Sequence, residues 1–514
     1  MSSKKETIKH AAIYSAAGFL GKALGFVMLP FYAHKIGVTG YGIIGMVDAA
    51  TSLLIALLAY GCQGAIIRFF HREKESTQHQ VVSSGYWIIF AACGLITALA
   101  MLLSAPLSAL LFGDSTLKWI FCIAMVSFFL EMTGQVASSI LLIKRRSILI
   151  SAVGIGRLFV GLLLNIILIV WLELGVLGYF VSSACVALLS FIIFQRIAFK
   201  ECGTSYEPRI AKDIIAYQLP LIPSALISFA SRQSERVFLR ILESIEKVGI
   251  LEMSYKFPSL IQLLIQTPFM NSWETERVRI AEENPTTASK TIGAMFSIAL
   301  FLLCFAALLI AITIGDLLII LTPEEFWSAQ RIAQIECITV VIASLTHHVN
   351  FGYNYARDMK AWAKLYGSLS LIKIGLSYFF ILHWGLVGAA YSACFTAAII
   401  IIFALSGGQQ RFKIQYETSK ILTIILAALG LFLIAEINQT RLLATATEWS
   451  DYILNATQSM QFYVNFPKLG ELIKIKLPFI IDMGIRVVIA CLFIVVAPLI
   501  YPKLRFWQRA HLTA

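Results

Sequence analysis

Apolar stretches of about twenty residues recur from one end of this chain to the other, and each can cross roughly 30 Å of hydrocarbon as a helix. A soluble core of 514 residues could not hide that much apolar surface. The chain is 59% hydrophobic and only 14% charged, against about a quarter charged in soluble domains, so lipid must be the solvent for much of it. In lipid every backbone polar group must be satisfied internally, which leaves helices or a closed barrel. Barrel strands would show short alternating segments, and these are absent. The expectation is an all-α polytopic membrane protein.

Hydropathy and helix breakers mark about 14 transmembrane helices. They lie near 10–33, 41–67, 81–112, 117–143, 148–172, 175–197, 214–239, 248–273, 290–321, 328–355, 360–383, 385–407, 419–437 and 478–501. Met1 to His10 is polar and basic, and the apolar stretch after it is too long for a cleavable signal, so it reads as the first permanent helix. The alternate loops are the basic ones: Lys4, Lys5 and Lys9, then Arg68, Arg72 and Lys74, then Lys144, Arg145 and Arg146, and so on to Lys503, Arg505 and Arg509. Under the positive-inside rule this places both termini of a multi-pass chain in the cytoplasm, and the expected location is the cytoplasmic (inner) membrane. Dispersed loop charges also account for much of the net charge of +12, so no nucleic-acid partner is expected.

The chain repeats itself at an offset of about 207 to 210. Leu29-Pro30 matches Leu219-Pro220, Gly42-Ile43 matches Gly249-Ile250, and Gly175, Gly178 and Ser182 match Gly385, Gly388 and Ser392. Six helices per repeat return to the same side, so the halves are parallel repeats. The expected organisation is a six-helix lobe over 1–200, a second over 201–410, and two additional helices over 411–514 carrying a long extracytoplasmic loop, 438–477. Leu442, Leu443, Trp449, Tyr452, Ile453 and Ala456 fall near one helical face, which suggests an interfacial amphipathic segment in that loop. The stretch Ile473-Lys474-Ile475-Lys476-Leu477 alternates instead.

Charges inside the spans carry the functional signal. Each costs about 2.5–3.5 kcal/mol at a helix centre on insertion scales, so each should face a wet cavity, a partner or the interface. Arg331 sits at a helix start, where it can snorkel. Arg486 follows Asp482 by four residues, the spacing of an intrahelical pair. Arg236 has Glu235 and Ser234 beside it. Lys22, Arg157, Arg232, Lys256 and Lys373 are harder to explain structurally. Lys22 is flanked by Gly18, Gly21 and Gly25, and Lys256 stands just before Pro258. A low-dielectric cavity lined by Lys and Arg concentrates anions, and Arg grips phosphate oxygens in a bidentate fork. Lys22, Arg232, Lys256, Arg236, Arg157 and Lys373 are therefore the candidate substrate-binding residues for an anion such as a diphosphate. Asp48 and Glu252 are the plainest acids for coupling to a proton or a sodium ion. No cysteine cluster or Cys/His spacing suggests a metal, no P-loop is present, and neither a resident cofactor nor enzymatic activity is expected.

The chain resembles the polysaccharide-type flippases of the multidrug/oligosaccharidyl-lipid/polysaccharide exporter superfamily over roughly residues 8 to 410. The carriers are Leu29-Pro30-Phe31-Tyr32 with Gly37 and Gly40-Tyr41-Gly42, and Ala65-Ile66-Ile67-Arg68-Phe69-Phe70. They continue with Leu219-Pro220-Leu221-Ile222-Pro223, Ser234-Glu235-Arg236, Val248-Gly249-Ile250, Ser254-Tyr255-Lys256-Phe257 and Gly385-Leu386-Val387-Gly388-Ala389-Ala390. The resemblance implies two six-helix lobes, alternating access and a polyprenyl-diphosphate-linked glycan as cargo, moved for cell-surface polysaccharide synthesis. Its partners would be that glycan, membrane lipid, and a polysaccharide polymerase or assembly complex. A cation-coupled multidrug exporter of the same fold is one alternative, and would want acids rather than Lys and Arg at the centre. A membrane polymerase or ligase acting on lipid-linked sugars is another.

Overall fold

The computed structural model describes residue 21 and residues 25–58, 62–144, 146–457 and 467–500. Its longer helices are α1 (Leu29–Leu58), α2 (Gln78–Leu102), α3 (Lys118–Ala137), α4 (Ser147–Asn165), α5 (Gly175–Cys202), α6 (Ile222–Leu242), α7 (Ile245–Lys256), α8 (Thr267–Glu283), α9 (Pro285–Leu321), α10 (Ala329–Val349), α11 (Met359–Arg411), α12 (Thr418–Ile437), α13 (Gln439–Thr457) and α14 (Pro467–Ile500). Among the described residues there is no strand, and 12 helical stretches are long and apolar enough to cross a membrane. One of these, α11, is interrupted at Gly385, where φ is 54°, so it holds two of the predicted spans. The first predicted span lies mostly outside the described residues.

Glycines with left-handed backbone close the hairpins, a conformation a Cβ would strain. Gly37, at φ 69°, separates the end of the first span from the second within α1. Gly175 opens α5 at φ 56°, and Gly385 matches it at φ 54°. Three residues on, a Cβ at Gly178 would stand 3.0 Å from the Leu168 carbonyl oxygen, and one at Gly388 would stand 2.0 Å from that of Phe380. The paired serines also face the preceding helix: Ser182 donates to the Gly161 carbonyl at 3.4 Å, and Ser392 stands 3.3 Å from Ser377. The repeat read from sequence thus corresponds to one turn chemistry used twice.

The chain forms two compact units, Met1–Ile250 and Leu251–Ala514. The core of the first centres on α2, α3 and α5, with Tyr86, Ile89, Phe128, Met132 and Phe194 buried against one another. In the same unit α1 and α7 cross so closely that only glycine fits. A Cβ on Gly42 would stand 2.0 Å from the Ile245 carbonyl oxygen, and one on Gly249 would stand 2.0 Å from that of Val38. Each glycine thus meets the carbonyl four residues before the other, and the two pairs differ by the repeat offset. Thr39 adds a 3.4 Å hydrogen bond to Glu246 at that same offset. Close glycine approach is how membrane helices gain van der Waals contact. At this end Lys35 pairs with Glu173 at 2.5 Å, and that hydrogen bond holds the Glu173 carboxyl below its usual range.

The second unit buries the inner faces of α9, α10, α12 and α14, where Phe301 stacks on Phe493 at 4.9 Å. Many large apolar side chains remain exposed on both units, such as Leu102, Phe159, Leu264, Phe403 and Leu426. Bands like these suit contact with lipid tails.

Two stretches, 274–290 and 473–477, differ from expectation. Residues 274–290, expected as a loop, are helical to Glu283, and Asn284 then caps α9 by accepting from the Thr287 amide at 3.1 Å. Arg277 of this stretch is buried: it bonds Glu274 at 2.5 Å and the His347 carbonyl at 2.9 Å, and lies over the Phe351 ring. The 438–477 stretch is helical over α13 and again from Pro467. The alternating Ile473 to Leu477 run therefore belongs to α14. Lys476 turns its Nζ to the carbonyls of Ile319 and Ile320, at 2.5 and 2.9 Å, capping the C-terminal end of α9, where a cation is favoured.

Candidate functional site

The structure divides the six candidate cations. Arg157 on α4 forms a bidentate pair with Glu131 on α3, at 2.9 and 2.7 Å, so its charge is already matched. Arg236 on α6 donates to Gln233 at 2.5 Å, and Gln233 in turn reaches Ser52 at 3.3 Å. That network ties α6 to α1. Lys373 is half-buried within α11. Lys22 lies outside the described residues.

Arg232 and Lys256 remain. Arg232 is exposed on α6 one helical turn before Arg236, on the same face. Lys256 is exposed at the last residue of α7, where the helix breaks. Pro258 lacks the amide that would continue the helix. The chain turns through Phe257 and Pro258 and continues in a π-helical segment, Gln262–Gln266. Such segments often mark functional sites. Among the described residues, neither Arg232 nor Lys256 has an ion-pair partner. Of the two acids, Asp48 is exposed on α1 and Glu252 is buried on α7.

A cavity of about 1020 Å³ lies wholly in the second unit, between α9, α10 and α12. Leu300, Leu308, Ile338, Val341, Leu429 and Phe432 make most of its wall apolar, while Gln330, Arg331, Gln334 and Glu436 supply a polar part. None of the five candidate cations among the described residues lines it. Its guanidinium is Arg331, exposed near the start of α10 and expected from sequence only to snorkel. Sequence reasoning missed this role because a helix-start arginine looks the same whether it meets a headgroup region or the mouth of a cleft.

Deeper in this unit, α9 and α14 share a buried ionic cluster. Arg486 donates to Asp482 through Nε at 3.1 Å and Nη2 at 3.0 Å, as the four-residue spacing predicted. It also donates through Nη1 to the Ile312 carbonyl at 2.9 Å, and its Nε stands 3.2 Å from Asp316. The three side chains are 3%, 1% and 6% exposed.

Comparison with known proteins adds family and fold. The family model for polysaccharide biosynthesis proteins matches residues 7–273. A protein of the Lsg locus of Haemophilus influenzae is 24% identical over 276 residues, which is 51% of this chain and 63% of that protein. The chain thus spans just under two thirds of that curated relative. Among solved structures, the lipid II flippase MurJ in an inward closed conformation superposes with a TM-score of 0.71 at 12% identity, covering 96% of this chain and 99% of that one. A multidrug resistance MATE family transporter of the MOP superfamily, inward-facing, gives 0.58 at 15% identity, covering 76% and 94%. At such identities the likeness concerns the fold alone. The chain is therefore a multi-pass membrane protein with the fold of the MOP superfamily transporters, and it belongs to the family of polysaccharide biosynthesis proteins.

Proposed function

We propose that this protein flips a polyprenyl-diphosphate-linked oligosaccharide from the cytoplasmic to the outer leaflet of the inner membrane, by alternating access. The observation that carries the reading is the exposure of Arg232 and Lys256 on membrane helices with no counter-ion among the described residues. Leaving cations unmatched at membrane depth is costly, and a diphosphate arriving from the cytoplasm supplies the missing charge. The apolar cleft on α9, α10 and α12, with Arg331 on its wall, suits an isoprenoid tail whose headgroup must stay near cations. The family match and the likeness to a lipid II flippase support the same substrate class.

In this reading 1–200 and 201–410 act as two lobes, both termini are cytoplasmic, and the Gly42–Gly249 crossing lies at the outer end. The cargo enters from the cytoplasm, Arg232 and Lys256 are each a proposed contact for an anionic group as it passes, and separation of the crossing opens the outer face. Asp48 and Glu252 are the proposed sites for a coupling proton or sodium ion. The helical 438–477 region is the proposed contact for a polymerase or assembly complex.

The experiment is translocation of a fluorescent polyprenyl-diphosphate oligosaccharide in proteoliposomes, with Arg232→Ala and Lys256→Ala run beside the wild type. Loss of transport in both variants, with unchanged insertion and melting, supports the reading. Full transport by both refutes the cation assignment. Efflux of organic cations with no lipid movement would move the protein to the multidrug exporters.

A further inference from the structure

Two carboxylates and one guanidinium are buried together between α9 and α14, at membrane depth. With both acids ionised the cluster would carry one uncompensated negative charge. Burying a single charge without a partner costs several kcal/mol even after relaxation, and two carboxylates in one site resist ionising together. Hydrogen bonding points the same way. Asp316 Oδ2 and Asp482 Oδ1 are buried and accept no hydrogen bond, although both carboxyl groups crowd the same Arg486 Nε, at 3.2 and 3.1 Å. One proton placed between them supplies the missing donor and removes the surplus charge together.

Among the described residues no further charge pairs with Asp316 or Asp482. Lys476 of α14 gives its ammonium to the carbonyls of Ile319 and Ile320. From α10, Arg331 lines the cleft and Glu336 is buried, while Gln330 and Gln334 are neutral. Glu436 of α12 lines the cleft as well. From α13, Arg441 and Glu448 are exposed and Ser450 is buried. Arg277 of α8 is engaged by Glu274 and the His347 carbonyl. A metal cation fits the cluster poorly, because the guanidinium occupies the face where its charge would sit. No group of three or more His, Cys, Asp or Glu side chains suited to a metal exists among the described residues.

We propose that Asp316 and Asp482 form a proton-binding site that holds one proton against Arg486. Both guanidinium hydrogen bonds to a carboxylate go to Asp482, so the proton is assigned to Asp316. Losing that proton leaves a buried negative charge between α9 and α14, so any conformation that loosens their contact favours its release. The inference does not depend on the proposed cargo.

The test is infrared spectroscopy of the purified full chain at neutral pH. Isotopically labelled aspartate separates these groups from glutamates, because Asp316 and Asp482 are the buried aspartates among the described residues. A carboxylic-acid carbonyl band of about one group per molecule, shifted by the label and by deuterium and missing in Asp316→Asn, is expected. Asp316→Asn should melt close to the wild type, since the amide copies the protonated acid. Absence of a label-sensitive acid band from the wild type overturns the proposal, and needs no variant to fold. A sodium-dependent rise in wild-type melting that Asp316→Asn abolishes would also overturn it, in favour of a metal cation.

Discussion

Adding one methyl group at the α1–α7 crossing tests whether that crossing sets the balance between closed and open states. In Gly42→Ala the new Cβ would lie 2.0 Å from the Ile245 carbonyl oxygen, and ordinary contact begins at 3.4 Å. The helices must therefore part by about 1.4 Å along that direction. The obstacle is backbone, so no side chain can swing away. Overpacking of this kind costs about 1–3 kcal/mol, which corresponds to a shift of about 5- to 150-fold towards states in which the crossing is apart. Gly249→Ala should do the same through the Val38 carbonyl. The assay is a cysteine at Val38, which is 5% exposed, in a background with the nine native cysteines replaced. Its labelling rate with a membrane-impermeant maleimide should rise by up to the same factor in either glycine variant. Gly64→Ala is the control, because a Cβ there meets nothing within 4 Å. Unchanged labelling in both crossing variants, or an equal rise in the control, would refute the reasoning.

In the Arg157–Glu131 pair, Arg157→Met or Glu131→Met alone should lower the melting temperature more than both changes together, since a lone charge in the membrane is worse than none; the double-mutant cycle measures the coupling. Filling the cleft with Ala428→Trp should abolish lipid translocation while leaving melting nearly unchanged, because Ala428 lines open space; unimpaired transport would remove the cleft from the pathway. Asp358, outside the spans, caps α11 and is bonded by Arg411, which lowers its folded pKa below 3.8. Its contribution is therefore present above that pH and lost as pH falls through the lowered folded value. Asp358→Asn should melt below the wild type at neutral pH, and melting curves taken at falling pH should show the gap closing below about pH 4.

Much of the fold was legible because lipid imposes a harsh rule on sequence. A span must be apolar for its whole length, so the fourteen stretches stood out, and the left-handed turns at Gly175 and Gly385 announced themselves through the repeat. The Asp482–Arg486 pair was legible because four residues make one turn. Its second acid, Asp316, was not, since it lies about 170 residues earlier and no local pattern joins them. Glu131 was similarly invisible as the partner of Arg157, 26 residues and one helix away. The 274–283 stretch looked like a loop because its charges are polar by composition, whereas a helix that runs past the bilayer keeps its own hydrogen bonds whatever its side chains. Of the candidate cations, sequence could find those at membrane depth but could not show which were already matched. That distinction depends on neighbouring helices.

The Asp316–Arg486 contact also bears on how the chain is made. Asp316 leaves the ribosome about 170 residues before Arg486 exists, an interval of roughly ten to thirty seconds at ordinary synthesis rates. During that time α9 enters the bilayer with a bare carboxyl on its surface, which costs least while that group is neutral. A nascent chain halted near residue 410 would keep α9 in the bilayer with Asp316 not yet facing Arg486. The arrival of α14 then gives that acid its permanent neighbour.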